Sequence, residues 1–199
     1  MKNTKKVFLL FVFILLSGWV NAQAFSDGKN LVMFGFGFPA TSKIKNDFND
    51  YKKFIDYKFN NYGTLHLKYE HGLHEHFGLG LNVEYSAASL TYKYDDSNLL
   101  RYQVNIKSKV MGIYGRFNGH LPIGDDFDIY AGVGLGYSYK IDHYDDNNPN
   151  STSSHKTSVF EFDYQLTLGL RYMVKPGFGL FGEVGIASTT GQLGVALAF

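Results

Sequence analysis

The sequence predicts an all-β fold, an eight-stranded antiparallel up-and-down transmembrane β-barrel, and three observations carry that prediction. Large apolar residues alternate with small or polar ones in repeated runs, the chain opens on an export signal, and it closes on a strand-like segment ending at Phe199. Successive side chains of a strand point to opposite faces, so period-two alternation supplies one face for lipid and one for a crowded lumen.

The export signal is a basic stretch from Met1 to Lys6, an apolar run from Val7 to Leu16, and a small-residue region ending at Ala22. That run is shorter than the roughly 20 residues a spanning helix needs. Residues 1–22 are therefore expected to be a signal peptide, with cleavage after Ala22 or, alternatively, after Ala24. Residues 23–28 follow as an N-terminal extension and 29–199 as the barrel. Removing Lys2, Lys5 and Lys6 turns the net charge from +1 to −2, which speaks against a nucleic-acid partner. The absence of cysteine means that an exported chain must be held together without disulfides, and a closed barrel does so by pairing every strand on both sides. A mean hydropathy of −0.16 suits a barrel, in which only alternate strand residues meet lipid. The 15 Tyr and 18 Phe suit interfacial girdles, and the 22 Gly suit a narrow interior.

Eight runs can be read in order. The first, Lys29 to Phe38, sets Val32, Phe34, Phe36 and Phe38 against Met33, Gly35 and Gly37. The second, Tyr57 to His71, sets Gly63, Leu65, Leu67 and Tyr69 outward against Thr64, His66, Lys68 and Glu70. In the third, Phe77 to Tyr94, the outward set is Phe77, Leu79, Leu81, Val83 and Tyr85; its phase slips near Ala87 to Leu90, which predicts a bulge. The fourth, Arg101 to Phe117, changes phase between Tyr102, Val104, Ile106 and Met111, Ile113, Phe117, which implies another bulge near Ser108 to Val110 if Arg116 faces inward. The fifth alternates Ile129, Ala131, Val133, Leu135, Tyr137 and Tyr139 with Gly132, Gly134, Gly136, Ser138 and Lys140. The sixth alternates Phe160 through Tyr172 with Glu161, Asp163, Gln165, Thr167, Gly169 and Arg171. The seventh opposes Leu180, Val184 and Ile186 to Phe181, Glu183, Gly185 and Ala187. The eighth opposes Leu193, Val195, Leu197 and Phe199 to Gly194, Ala196 and Ala198.

The connections alternate in character. His71 to His76, Gly119 to Asp126 and Val174 to Gly177 are short and turn-like, whereas Pro39 to Asp56 and Asp142 to Lys156 are long and polar. Short periplasmic turns opposite longer extracellular loops are the usual asymmetry of such barrels, and they put both termini on the periplasmic side. In the first long loop, Phe48, Tyr51, Ile55 and Phe59 fit either a short helical face or a strand extension.

The inward set carries Lys68, Glu70, Glu84, Arg116, Arg171 and Glu183, three charges of each sign. Enclosed charges must be paired, so the first reading is a lumenal salt-bridge network, and a gated polar pathway is the functional alternative. Glu183 is expected to bridge to Arg171 across the Val174 to Gly177 hairpin or to another inward cation. His74, Glu75 and His76 lack the spacing of a metal site, so no metal and no cofactor is expected. His143 and Ser154-His155 lie in a loop rich in Ser, Asn and Asp and carry no triad pattern, so no catalytic residue is assigned. The acidic outer rim, Asp95-Asp96 and Asp142 to Asn148, reads as solvated loop or as a place for divalent cations near lipid headgroups. The glycines of Gly132-Val-Gly-Leu-Gly136 are not followed by a helix and form no phosphate loop.

The export signal, the eight runs, the inward Arg/Glu/Lys set and the terminal Phe199 together resemble the small outer-membrane β-barrel family that includes outer membrane protein X and the barrel of outer membrane protein A. The resemblance spans Lys29 to Phe199. It implies a porin-like β-barrel at the Gram-negative cell surface, in contact with outer-membrane lipid and lipopolysaccharide. It also implies that Leu193, Val195, Leu197 and Phe199 form the signal read by the barrel-assembly machinery. Tethering to the cell wall is not expected, because no peptidoglycan-binding segment follows the barrel. The leading function is non-enzymatic: a structural role or contact with an extracellular ligand through the loops. A narrow channel for small or hydrophobic solutes is the alternative, and a lipid-modifying enzyme the minor one.

Overall fold

The computed structural model describes residues 24–39, 43–151 and 155–199, so the expected signal peptide lies outside the described residues. Eight antiparallel strands close into one ring in sequence order: β1 (Asn30–Gly37), β2 (Ile55–His74), β3 (Phe77–Asp95), β4 (Arg101–Ile123), β5 (Phe127–Asp146), β6 (His155–Lys175), β7 (Phe178–Ile186) and β8 (Gly191–Ala198). Closure comes from β1 on β8, with Leu31 opposite Ala198 and Gly37 opposite Gln192. Every strand therefore has two neighbours, and no backbone edge meets hydrocarbon around the ring.

The outward face carries Phe34, Leu65, Leu67, Leu79, Leu81, Ile113, Val133, Leu135, Leu168, Leu170, Val184 and Leu193, all exposed as a lipid-facing surface must be. The turns at the opposite end from the long loops are tight. Gly124 (φ 66°) and Gly177 (φ 77°) take left-handed conformations there, which only glycine adopts without steric cost.

β2, β4, β5 and β6 are longer than the alternation suggested, because the polar segments beyond the lipid-facing runs continue the same ladders. β3 and β4 pair without interruption from Phe77/Gly119 to Asp95/Arg101, and β4 and β5 from Val104/Asp146 to Ile123/Phe127. No extra residue is inserted in β3 at Ala87 to Leu90 or in β4 at Ser108 to Val110; the irregularity near Ala87 lies in the facing strand, β2. Parity never changes; the surroundings do. Below, outward residues such as Val83 and Met111 meet lipid, and inward ones such as Glu84 pack in the lumen. Above, outward Lys107 and Lys109 meet water, and inward Ala88, Leu90, Val104 and Ile106 form an apolar core. Apolar residues thus change faces with no residue inserted.

A bulge does occur in β2, between Asn61/Ala88 and Thr64/Ser86. Gly63 sits in it at φ 82°, buried, so its expected outward position is corrected. A Cβ on Gly63 would approach the Phe36 ring to 2.5 Å, so this position needs glycine for both conformation and space. The first long loop resolves as both of its readings. A 3-10 segment, Lys43–Lys53, carries Phe48 and Tyr51, whereas Ile55 and Phe59 belong to β2.

Candidate functional site

Inward parity on β2 to β8 stacks the interior charges into tiers. In the middle tier, Lys68 Nζ lies 2.6 Å from Glu183 Oε2 and Arg116 Nη1 3.1 Å from the same oxygen. Tyr130 donates to Glu183 Oε1 at 2.9 Å, and Gln192 Nε2 donates to Oε2 at 2.9 Å. Glu183 therefore receives four partners from four other strands. In the tier toward the long loops, Glu84 accepts from Tyr114 (3.0 Å), Gln165 Nε2 (3.0 Å) and Ser188 (2.8 Å). In the tier toward the tight turns, Arg171 Nη2 lies 2.8 Å from Asp128 Oδ2 and 3.6 Å from Glu70 Oε2. His120 stands between the same two carboxylates, 2.9 Å from each. Asn118 also donates to Glu70.

All six expected lumenal residues are inward and buried, between 0% and 3% exposed. Their pairing differs from one expectation: Glu183 does not bridge to Arg171. Glu183 stands opposite Gly169, and Arg171 opposite Phe181, one step nearer the turn. The guanidinium therefore reaches the Asp128 and Glu70 tier, while Lys68 and Arg116 converge on Glu183.

Several interior partners escaped the sequence reading. His120 and Asp128 fall within or beside the stretch assigned to a turn, and β4 in fact runs on to Ile123. Continuing the even-numbered inward parity of β4 and β5 would have found Tyr114, Asn118, His120, Asp128 and Tyr130.

Below this tier the residues before β1 fold back into the barrel mouth. Phe25 stacks on His120 with ring centroids 3.5 Å apart, and the Arg171 guanidinium lies 5.8 Å from the Phe25 ring. Ala24 N–H donates to the Asp125 carbonyl at 2.6 Å. His74 and His76 sit in the exposed β2–β3 turn with ring centroids 5.8 Å apart. Among the described residues no three potential ligands converge as a metal centre.

The opposite end has a different geometry. β1 leaves β2 at Gly37/Thr64 and β7 leaves β6 at Ile186/Leu166, so β2 to β6 continue beyond the ring as a five-stranded tower. The 3-10 segment tucks against its concave face, burying Ile44 and Phe48 against Ala88, Leu90, Val104 and Ile106. Lys140 Nζ clamps that segment from β5, 2.6 Å from Asp47 Oδ2. The tower also carries exposed ion pairs: Lys93 of β3 with Asp56 of β2 at 2.8 Å, and Arg101 with Asp95 across the β3–β4 hairpin at 2.8 Å. The hydrogen bond from Lys93 holds the Asp56 carboxyl below its ordinary range, and that from Arg101 does the same for Asp95. His155 to Phe162 of β6 pair with β5 on one side and have no β7 partner on the other. His143 lies on the outward face of β5, and His155 stacks on Tyr144.

Leu193, Val195 and Leu197 of β8 and Phe199 just after it share the outward parity, while Gln192, Ala196 and Ala198 are buried. Phe199 exchanges both backbone hydrogen bonds with Asn30, each 2.9 Å, so the last residue helps to close the ring.

Residues 10–195 match the family model described as outer membrane protein beta-barrel domain. Solved structures of similar fold include OprG from Pseudomonas aeruginosa (12% identity, 90% of this chain and 99% of that one, TM-score 0.48). Ail, the attachment invasion locus protein of Yersinia pestis, is 13% identical over 87% of this chain and 99% of its own, with a TM-score of 0.43. The N-terminal β-barrel domain of Pseudomonas aeruginosa OprF is 15% identical over 87% and 98%, with a TM-score of 0.38. No curated protein matches the sequence.

Proposed function

The chain belongs to the outer membrane protein β-barrel family, and from that premise we propose that it is a non-enzymatic surface protein that works through its extracellular tower rather than by conducting solutes. The observation that carries this reading is the contrast between the two halves. The ring's interior is occupied by bonded side chains from Glu84 down to Phe25. The tower spends five strands on a surface that ring closure does not require, including the unpaired flank of β6 from His155 to Phe162. A free strand edge presents a row of backbone donors and acceptors for a partner segment.

In this reading the tight turns and both termini face the periplasm, residues 1–22 are removed on export, and 29–199 form the mature barrel. Leu193, Val195, Leu197 and Phe199 serve as the signal for the barrel-assembly machinery. Lipopolysaccharide and outer-membrane lipid surround the ring. Lys68, Glu70, Glu84, Arg116, Arg171 and Glu183 act together as a lumenal charge network that excludes a continuous water path.

The test is single-channel recording of purified protein in planar bilayers, paired with a variant whose 147–154 loop and β6 flank are cut to a short turn. The reading expects no conductance from either protein and loss of any cell-surface adhesion or resistance phenotype in the trimmed one. Steady, selective flux through the intact protein, unchanged by trimming, would establish the narrow channel instead.

A further inference from the structure

The outward face of the tower gathers three lysines around a histidine, and among the described residues no carboxylate pairs with these lysines. Register places Lys107 of β4 opposite His143 of β5, and His143 opposite Lys156 of β6. Residues opposite one another across neighbouring strands share a face, and strands lie about 4.8 Å apart, so the row spans roughly 10 Å. Lys109, two residues along β4, is on the same face. All four side chains are exposed.

Their environment separates them from the other cations of this end. Lys93, Arg101 and Lys140 each have a carboxylate within 2.8 Å. Among the described residues Lys107, Lys109 and Lys156 have no ion-pair partner, and the outward carboxylate on β5, Asp145, lies a further two residues up, opposite Asn105. Like charges gathered on one sheet face repel, which favours an anion between them.

The height of the row identifies the anion. Four residues below Lys107, His143 and Lys156 on their own strands stand Met111, Tyr139 and Phe160, which are lipid-facing. Four residues along a tilted strand amount to about 10 Å of height, the step from hydrocarbon to headgroup. Beneath the row, Tyr137 stacks on Phe160 at 4.8 Å and meets Phe162 edge-on at 5.6 Å, an aromatic surface for an acyl chain. Cations above and aromatics below match a ligand with phosphate at one end and hydrocarbon at the other.

We propose that Lys107, Lys109 and Lys156, with His143 between them, bind the phosphate groups of a phosphorylated glycolipid of the outer leaflet. The proposal rests on the reading that the tower faces outward. A bound lipid would fix the protein's height and rotation in the leaflet and so orient the neighbouring β6 edge toward the surface.

The experiment uses the full mature barrel in phosphatidylcholine nanodiscs doped with bisphosphorylated or dephosphorylated lipid A, with bound lipid counted by native mass spectrometry. The wild type is expected to prefer the bisphosphorylated form by at least about 10-fold, since each lysine near an anionic headgroup contributes appreciably. The Lys107→Gln/Lys109→Gln/Lys156→Gln variant should lose that preference while still shifting in gel mobility on boiling. The Lys45→Gln/Lys52→Gln/Lys58→Gln variant, with the same loss of charge elsewhere, should keep it. Equal binding by both variants, or loss in both, overturns the site. Displacement of the lipid by millimolar inorganic phosphate would make the ligand a free anion and overturn the lipid assignment. Protease access to the 147–154 loop on intact cells tests the orientation separately: protection there would refute the outward-facing tower whatever the nanodiscs show.

Discussion

Lys68 and Glu183, 115 residues apart in sequence, meet in the barrel interior with Nζ 2.6 Å from Oε2. That contact ties β2 to β7 through the lumen, independently of the backbone ladders around the wall. Glu183→Ala would leave Lys68 and Arg116 buried with no common counter-charge, and stranding one member of a buried pair costs about 3 to 5 kcal/mol. The expected result is a lower midpoint in urea unfolding from lipid vesicles, with the barrel still assembled in the membrane. An unchanged midpoint would remove Glu183 from the centre of the tier.

The interior also depends on space. A Cβ on Gly169 would stand 2.2 Å from Tyr130 Cζ, whereas one on Gly119 meets nothing within 4 Å. Gly169→Ala should displace the Tyr130 ring from Glu183 and destabilise the barrel by about 1 to 3 kcal/mol, as overpacking does. Gly119→Ala should be near neutral. Parallel unfolding curves for the two variants decide the point.

The tower's apolar core should be separable from the ring. Phe48 is buried against Ala88, Leu90 and Ile106, and Phe48→Ala would remove about 3 to 5 kcal/mol of local packing. Limited proteolysis should then cut within 43–53 in the variant and not in the wild type. The heat-induced gel shift of the ring should stay the same in both.

Asp56 links pH to the outer edge of β2. Its folded-state pKa lies below the ordinary 3.8 because Lys93 donates to it, so the stability it contributes is present above that value and is lost as pH falls through the folded one. The exposed pair contributes little to global stability. Its carboxyl carbon, followed by NMR, should titrate below 3.8 in the wild type and move back toward that value in Lys93→Gln.

Phe199 closes the ring through its backbone bonds to Asn30, and its side chain stays on the lipid side, 47% exposed. Deleting Phe199 should lower the yield of outer-membrane barrel much more than Ala198→Gly does. Surface labelling of cells expressing each variant measures this, and equal yields would argue against an assembly role for the terminal residue.

Alternation by itself determined the class of fold, the number of strands and the inward or outward side of almost every lipid-level residue. The reason is physical: a strand has a period of two, and lipid accepts only one of its faces. The same rule misled at Ala87 to Val110, because hydropathy reports the medium a residue meets and not its direction. Lipid gives way to water outside the wall just where polar lumen gives way to apolar core inside it. Only the tertiary structure decided which charges meet. Lys68, Arg116, Tyr130 and Gln192 converge on Glu183 because closing eight strands with a particular stagger sets their heights, and stagger leaves no mark in one strand's sequence. The row of Lys107, His143 and Lys156 has the same origin: three residues unremarkable in order along the chain became neighbours through the register of two hairpins.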